Sequence, residues 1–194
     1  MTSTDRKGTG AYYTPKFVTK YISENTIYPF IIDRTNEYLK TERGYKEGDL
    51  LTDIEELFIL AETTLNAVWN NVILKIRVLD NACGSGAFLL AAANILFELN
   101  RRINDKLGLG NSDTALKKLI LINTLYGYGV DINPNGIEIA KLRLWLWLVD
   151  SYEPERVEPL PNIDYNLRVG QFDRLCGSKR VQGNETHPLR LALG

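Results

Sequence analysis

The stretch DNACGSGAF, Asp80 to Phe88, places a carboxylate directly ahead of two glycines, a cysteine and a serine. Gly84 and Gly86 carry no β-carbon, so a ligand can approach the backbone closely and positive φ is allowed. Backbone N–H groups of such a turn can face an anionic group. The same residues also make a tight strand-to-helix turn that holds nothing, so the stretch alone leaves two readings open. A second carboxylate separates them. Asp131 ends the run LYGYGVD, which reads as the next strand. A carboxylate at a neighbouring strand end suits a ribose diol, because it accepts two O–H donors at once. Its other use, as a helix cap, falls better to Asn133.

The charge pattern discriminates between nucleotides. A dinucleotide fingerprint runs G-x-G-x-x-G or G-x-G-x-x-A and grips a pyrophosphate. Here GSGAFL has Leu89 in the last place, and Asp80 precedes the glycines. That carboxylate would repel a pyrophosphate and welcome an ammonium. S-adenosyl-L-methionine carries an ammonium, a carboxylate and a ribose but no phosphate, so it is favoured over NAD.

Other chemistry is thin. His187 is the single histidine, which argues against a histidine metal site or a Ser-His-Asp triad. Cys83 and Cys176 offer neither a disulfide framework nor zinc spacing. Cys83 reads as a small filler of the turn, since no basic partner is in sight. No metal ligand and no catalytic residue is assigned.

The elements that must position these residues follow from the hydrophobic pattern. Thr14 and Pro15 suit the N-cap and first position of a helix whose face would be Phe17, Val18, Tyr21 and Ile22, interrupted by Pro29. TERGYKEGDL reads as a charged loop. Thr52 with Glu55 suggests a capping box ahead of one helical stripe from Ile54 to Val72. From Ile76 the pattern changes. IRVLD is a short strand, NACGSG a turn, and Ala87 to Asn104 a helix. Asp113 caps a helix over Ala115 to Asn123. LYGYGVD is a second strand, and a helix from Asn133 and Pro134 runs to about Val149. Apolar residues surround that helix, Trp145 and Trp147 among them, so it should be buried on most sides, with both tryptophans in the core. YNLRVG is a third strand. Alternating strands and helices imply parallel pairing and right-handed crossovers. The fold class is therefore α/β, a Rossmann-like doubly wound parallel sheet with a helical N-terminal extension.

The totals agree. The 194 residues suffice for one α/β domain. Formal net charge is −1, so no overall basicity advertises a nucleic acid, although Arg6, Lys7, Lys16 and Lys20 outnumber Asp5 at the start. Met1 to Gly10 is polar, unlike a signal peptide, and the apolar run Leu144 to Val149 is too short for a membrane span. A soluble protein of a reducing, cytoplasmic compartment is expected.

Four segments in order resemble the N6-adenine DNA methyltransferases of restriction-modification systems, of the type I and fused type IIG kinds. GAYYTP, Gly10 to Pro15, resembles the motif that closes over the methionine end. VLDNACGSGAFL, Val78 to Leu89, is similar to the main cofactor loop. GYGVDINPNGIEIAKLRLWL is similar to the second motif. LPNIDYNLRVGQFDRL, Leu160 to Leu175, resembles the third, but Gln171 stands where the family usually has a small polar residue.

The resemblance implies roles. Tyr12, Tyr13 and Thr14 would line the methionine side. Asp80, Ala82 and Gly84 would meet the amino-acid end, with Cys83, Ser85 and Gly86 completing the loop. Asp131 and Ile132 would hold ribose and adenine. Gln171 would bond the adenine edge and Phe172 would pack on its face. It also implies DNA as partner of the parent enzyme, with specificity or restriction subunits as further partners.

The family's chemistry sits on a fourth motif, Asn or Asp followed by Pro-Pro and an aromatic residue, which accepts the adenine amino group and stacks on the flipped base. No Pro-Pro occurs in this sequence. The expectation is an N-terminal piece of a longer enzyme, inactive alone. Residues 1–75 would form the helical extension, 76–175 the cofactor-binding part, and 176–194 a tail, disordered or truncated, with no strand. Two alternatives stay open: a protein-glutamine or other methyltransferase fragment, and a non-catalytic nucleotide-binding module.

Overall fold

A computed structural model of the chain describes residues 14–129, 135–155, 158–169 and 191–192. In chain order the regular elements are α1 (Lys16–Arg43), α2 (Glu62–Asn71), β1 (Val78–Asp80), α3 (Ala87–Leu107), α4 (Asp113–Asn123), β2 (Leu125–Gly129), α5 (Asn135–Val149), β3 (Leu167–Val169) and β4 (Leu191–Ala192), with short 3-10 turns between α1 and β1. The strands form one sheet of order β3-β2-β1-β4. Every pairing is parallel: Val78 lies beside Leu125 on one side and Leu191 on the other, and Gly127 lies beside Leu167.

The three strands read from the sequence are present and parallel, and so are the helices between them. The fourth strand is a correction, because the tail was expected to hold none. Two residues with weak periodicity carry no readable signal of their own; β1 supplies the ladder they join. The described residues form a small parallel sheet covered by helices rather than a complete doubly wound fold.

Helix α3 is the centre of the packing. It touches β1 and β2 as well as α1, α2, α4 and α5. Its alanines explain this, since Ala92 and Ala93 are fully buried and allow close approach by neighbours. Leu89, Leu96, Leu99 and Ile103 fill the space around them. Trp69 of α2 donates its indole N–H to Asn100 Oδ1 of α3 at 2.8 Å, and Asn100 Nδ2 donates to the carbonyl of Leu96 at 2.7 Å. Asn100→Ala strands the indole donor of Trp69 in the core. Chemical denaturation should show a loss of about 1–3 kcal/mol.

Helix α1 departs from the sequence reading in three ways. Pro15 is the N-cap rather than Thr14, with its carbonyl accepting from Val18 at 3.0 Å. The helix runs through Pro29. Its buried face is Thr19, Ser23, Ile27, Ile31, Thr35 and Leu39, while Phe17 and Tyr21 are exposed. Interior proline costs about 3 kcal/mol. Full burial of Ile27, Ile31 and Leu39 against the molecule, worth about 1.5–3 kcal/mol each, outweighs it.

The segment before β1 shifts by one residue. Asp53, not Thr52, caps the turn over Ile54–Ile59, in a capping box with Glu56 rather than Glu55. That turn is 3-10, and α2 starts separately at Glu62. Ser112 rather than Asp113 caps α4, accepting from the N–H of Ala115 at 3.2 Å. Helix α5 was expected to be buried on most sides. Its inner face of Ile137, Ala140, Leu144 and Leu148 is buried, but Leu142 and Leu146 are 53% and 59% exposed. Trp145 and Trp147 are partly buried against the core. Their indole N–H groups donate to the carbonyl of Pro161 and to Asn94 Oδ1, and Trp147 meets Phe97 edge-on.

Candidate functional site

Strand β1 has β2 on one side and β4 on the other, so the chain's progress across the sheet reverses at β1. Ligands of open parallel sheets bind at the carboxyl end of such a strand. Asp80 is the last residue of β1, and the glycine turn follows directly.

The turn is built from short-range bonds. Asp80 Oδ1 accepts from the N–H of Ala82 at 3.1 Å. The N–H of Gly86 donates to the carbonyl of Cys83 at 2.7 Å, and the Gly86 carbonyl accepts from Leu90 at 2.9 Å, which starts α3. Gly84 and Gly86 both have positive φ, +49° and +78°. Their surroundings differ. A β-carbon on Gly84 would meet nothing within 4 Å, so this stretch of backbone faces open space. A β-carbon on Gly86 would stand 2.9 Å from the Ala140 β-carbon and 3.2 Å from its α-carbon. One glycine leaves the backbone open to a ligand; the other lets α5 pack against the turn.

Asp80 is 2% exposed. Burial pushes its carboxyl up to about 6, against the opposing pull of the Ala82 N–H. A buried carboxyl held by one backbone N–H at the carboxyl end of a strand has the chemistry to pair with a cation.

The structure gathers Asp80, Ala82, Cys83, Gly84, Ser85 and Gly86 into this turn. Cys83 is buried, as a filler should be. Thr14 stands one residue before the Pro15 cap and takes no part in the turn's hydrogen bonds. Tyr12, Tyr13, Asp131, Ile132, Gln171 and Phe172 lie outside the described residues. Sequence reasoning missed Arg143, whose Nη1 donates to Ser85 Oγ at 3.0 Å and to the Ser85 carbonyl at 3.2 Å. Set in the apolar run LRLWLWL, it belongs to no motif that would single it out. Among the described residues no group of three or more His, Cys, Asp or Glu could hold a metal ion. No helix among them is long and apolar enough to cross a membrane.

Residues 59–154 match the MmeI DNA-methyltransferase domain. The matched segment contains β1, the glycine turn, α3, α4, β2 and α5, hence every described site residue except Thr14. A Methanocaldococcus jannaschii protein named as a type II restriction enzyme and methyltransferase is 39% identical over 176 residues, covering 85% of this chain. The chain spans 14% of that relative's length. The two similarities support a methyltransferase region of the restriction-modification kind. The turn that the charge pattern selects thus falls inside the methyltransferase match.

Proposed function

We propose that this chain is the S-adenosylmethionine-binding part of an N6-adenine DNA methyltransferase, of the type I or fused type IIG kind, in a Rossmann-like doubly wound fold. The observation that carries the reading is the buried Asp80 carboxylate at the switch point, directly ahead of a turn whose Gly84 backbone is open. Its chemistry fits the cofactor: a carboxylate for the ammonium, and open backbone for the amino-acid end. When bound, the cofactor supplies an electrophilic methyl group on its sulfonium.

The chain's own residues divide the binding. Asp80 neutralises the ammonium, and Ala82 to Gly86 shape the floor beneath the amino-acid end. Asp131, two residues beyond β2, accepts both ribose hydroxyls, and Ile132 packs on the adenine. Gln171 and Phe172, after β3, complete the adenine side. Tyr12, Tyr13 and Thr14, in the extension of residues 1–75, close over the methionine end. Residues 76–175 are the cofactor-binding part, and the tail of 176–194 lends β4 to its sheet. The parent enzyme acts on DNA in the cytoplasm, with restriction or specificity subunits as partners.

Calorimetric titration tests the reading. S-adenosylhomocysteine binds and NAD does not; the reverse pattern would sink the assignment. Asp131→Ala weakens S-adenosylhomocysteine by about 1.5–3 kcal/mol, the scale of a charged hydrogen bond. Unchanged affinity would remove Asp131 from the ribose.

A second expectation concerns turnover. The exocyclic amine of adenine is a poor nucleophile and must be flipped out and held by acceptors and an aromatic face. The 194-residue chain, which has no Pro-Pro, transfers no methyl group to mixed-sequence DNA. Labelled adenine above the no-enzyme control, abolished by Asp80→Ala, would contradict this.

A further inference from the structure

Two residues of α5 grip the glycine turn. Ala140 and Arg143 are three positions apart and so share one helix face. Ala140 fills the space left by the missing β-carbon of Gly86. Arg143 donates to both the carbonyl and the Oγ of Ser85, the residue between the two positive-φ glycines, and Ser85 is 9% exposed. The steric contact sets the distance between turn and helix; the paired hydrogen bonds set the rotation of the Ser85 peptide.

We propose that Arg143 is a positioning residue for the amino-acid end of the cofactor, fixing the Gly84-Ser85-Gly86 turn to α5. The inference rests on the reading above that this turn takes S-adenosylmethionine.

The physical reason is entropy and register. A turn with glycines on both sides of one serine has a large choice of backbone states, and a ligand that needs one of them must select it. A side chain that holds Ser85 by two bonds makes the selection in advance. The helix that carries Arg143 starts at Asn135, just after the segment that holds Asp131. Arginine suits the task because its planar fork presents several donors in fixed geometry; a lysine would keep the charge and reach one acceptor at a time.

A purely structural role and a positioning role give different ligand profiles. S-adenosylhomocysteine has the amino-acid end, whereas 5′-methylthioadenosine keeps the adenosine and lacks that end. Both are titrated into the wild-type chain, Arg143→Lys and Arg143→Ala, with circular dichroism as a check on folding. Arg143→Ala should lose roughly tenfold or more in affinity for S-adenosylhomocysteine, the scale of one or two hydrogen bonds to a charged group. Its affinity for 5′-methylthioadenosine should stay within about twofold, and Arg143→Lys should fall between wild type and alanine. Equal losses for both ligands, or no loss for S-adenosylhomocysteine, would overturn the proposal.

If Arg143→Ala does not fold, Arg143→Lys carries the same comparison. Ser85→Ala, alone and combined with Arg143→Lys, gives a second readout on S-adenosylhomocysteine alone. The two effects should be less than additive because they act through one contact, and strict additivity would count against the proposal. A wild-type chain that ignores S-adenosylhomocysteine sinks the proposed function, and this inference with it. A wild-type chain that binds it, matched by Arg143→Ala, sinks this inference alone.

Discussion

Gly86→Ala should lower the unfolding free energy by about 2–5 kcal/mol, and the loss should appear without any ligand. Two costs add. A non-glycine residue in left-handed backbone, here φ +78°, costs about 1–2 kcal/mol. The added β-carbon also stands 2.9 Å from the side chain and 3.2 Å from the α-carbon of Ala140. The second of these is backbone on a buried helix face, so the overlap can be relieved only by moving α5, at about 1–3 kcal/mol. A fall of about 4–20 °C in melting temperature would follow for a chain of this size. Gly84→Ala is the control. Its φ is +49° but its β-carbon meets nothing within 4 Å, so only the backbone cost of about 1–2 kcal/mol applies. The methyl group enters the space assigned to the ligand, so Gly84→Ala should harm binding more than stability. Equal melting temperatures for the two variants would show that the close approach of α5 to Gly86 is not maintained in solution.

The second large effect is on pH. Burial lifts the Asp80 carboxyl from an ordinary 3.8 to about 6, so the folded chain binds this proton more tightly than the unfolded chain does. The favourable contribution is fully present below about 3.8 and is lost as pH rises through about 6. At pH 8 the ionised, buried group costs up to about 3 kcal/mol. Asp80→Asn keeps an oxygen for the Ala82 N–H and removes the charge. It should therefore raise unfolding free energy and lose S-adenosylhomocysteine at pH 8, and differ little from wild type in either respect at pH 4, where the native carboxyl is itself protonated. For the native chain, affinity should be flat above about pH 6. Below that, ligand ammonium and proton compete for one carboxylate, and affinity falls by up to about tenfold per unit. Denaturation curves at pH 4 and 8 check the first part, and calorimetry from pH 5 to 8 checks the second. An Asp80→Asn chain less stable than wild type at pH 8 would mean that the carboxylate has a stabilising partner.

The glycine turn of the candidate site was more legible in the sequence than the surfaces around it. Asp80, the two glycines and their place between a strand and a helix are local features, fixed by residue type and spacing. The parallel order of β1, β2 and β3 followed from alternation with helices. Three helix caps were read one residue off, a local error; the larger failures depended on tertiary contact. The inner face of α1 uses Thr19, Ser23 and Thr35, small polar residues that are buried and that a search for apolar periodicity passes over. The apolar group Phe17, Tyr21 and Ile22 was the stronger pattern and faces outward. Pro29 was given its local cost without the burial that offsets it. Arg143 carries no signature in one dimension, because its meaning lies in a turn 58 residues away. β4 is two residues long and exists by pairing with β1.

The most direct test of the central claim is a crystal structure of the chain soaked with S-adenosylhomocysteine. The account predicts the ligand at the carboxyl ends of β1 and β2, its ammonium about 3 Å from an Asp80 carboxylate oxygen and its amino-acid end along the Gly84 backbone. Another site is available for comparison: an open hollow of about 510 Å³ lined by Asn162, Asp164, Tyr165, Leu167 and Arg168, where the chain enters β3 at the opposite end of the sheet. Ligand density there, or at the strand ends with the ammonium turned away from Asp80, would contradict the account.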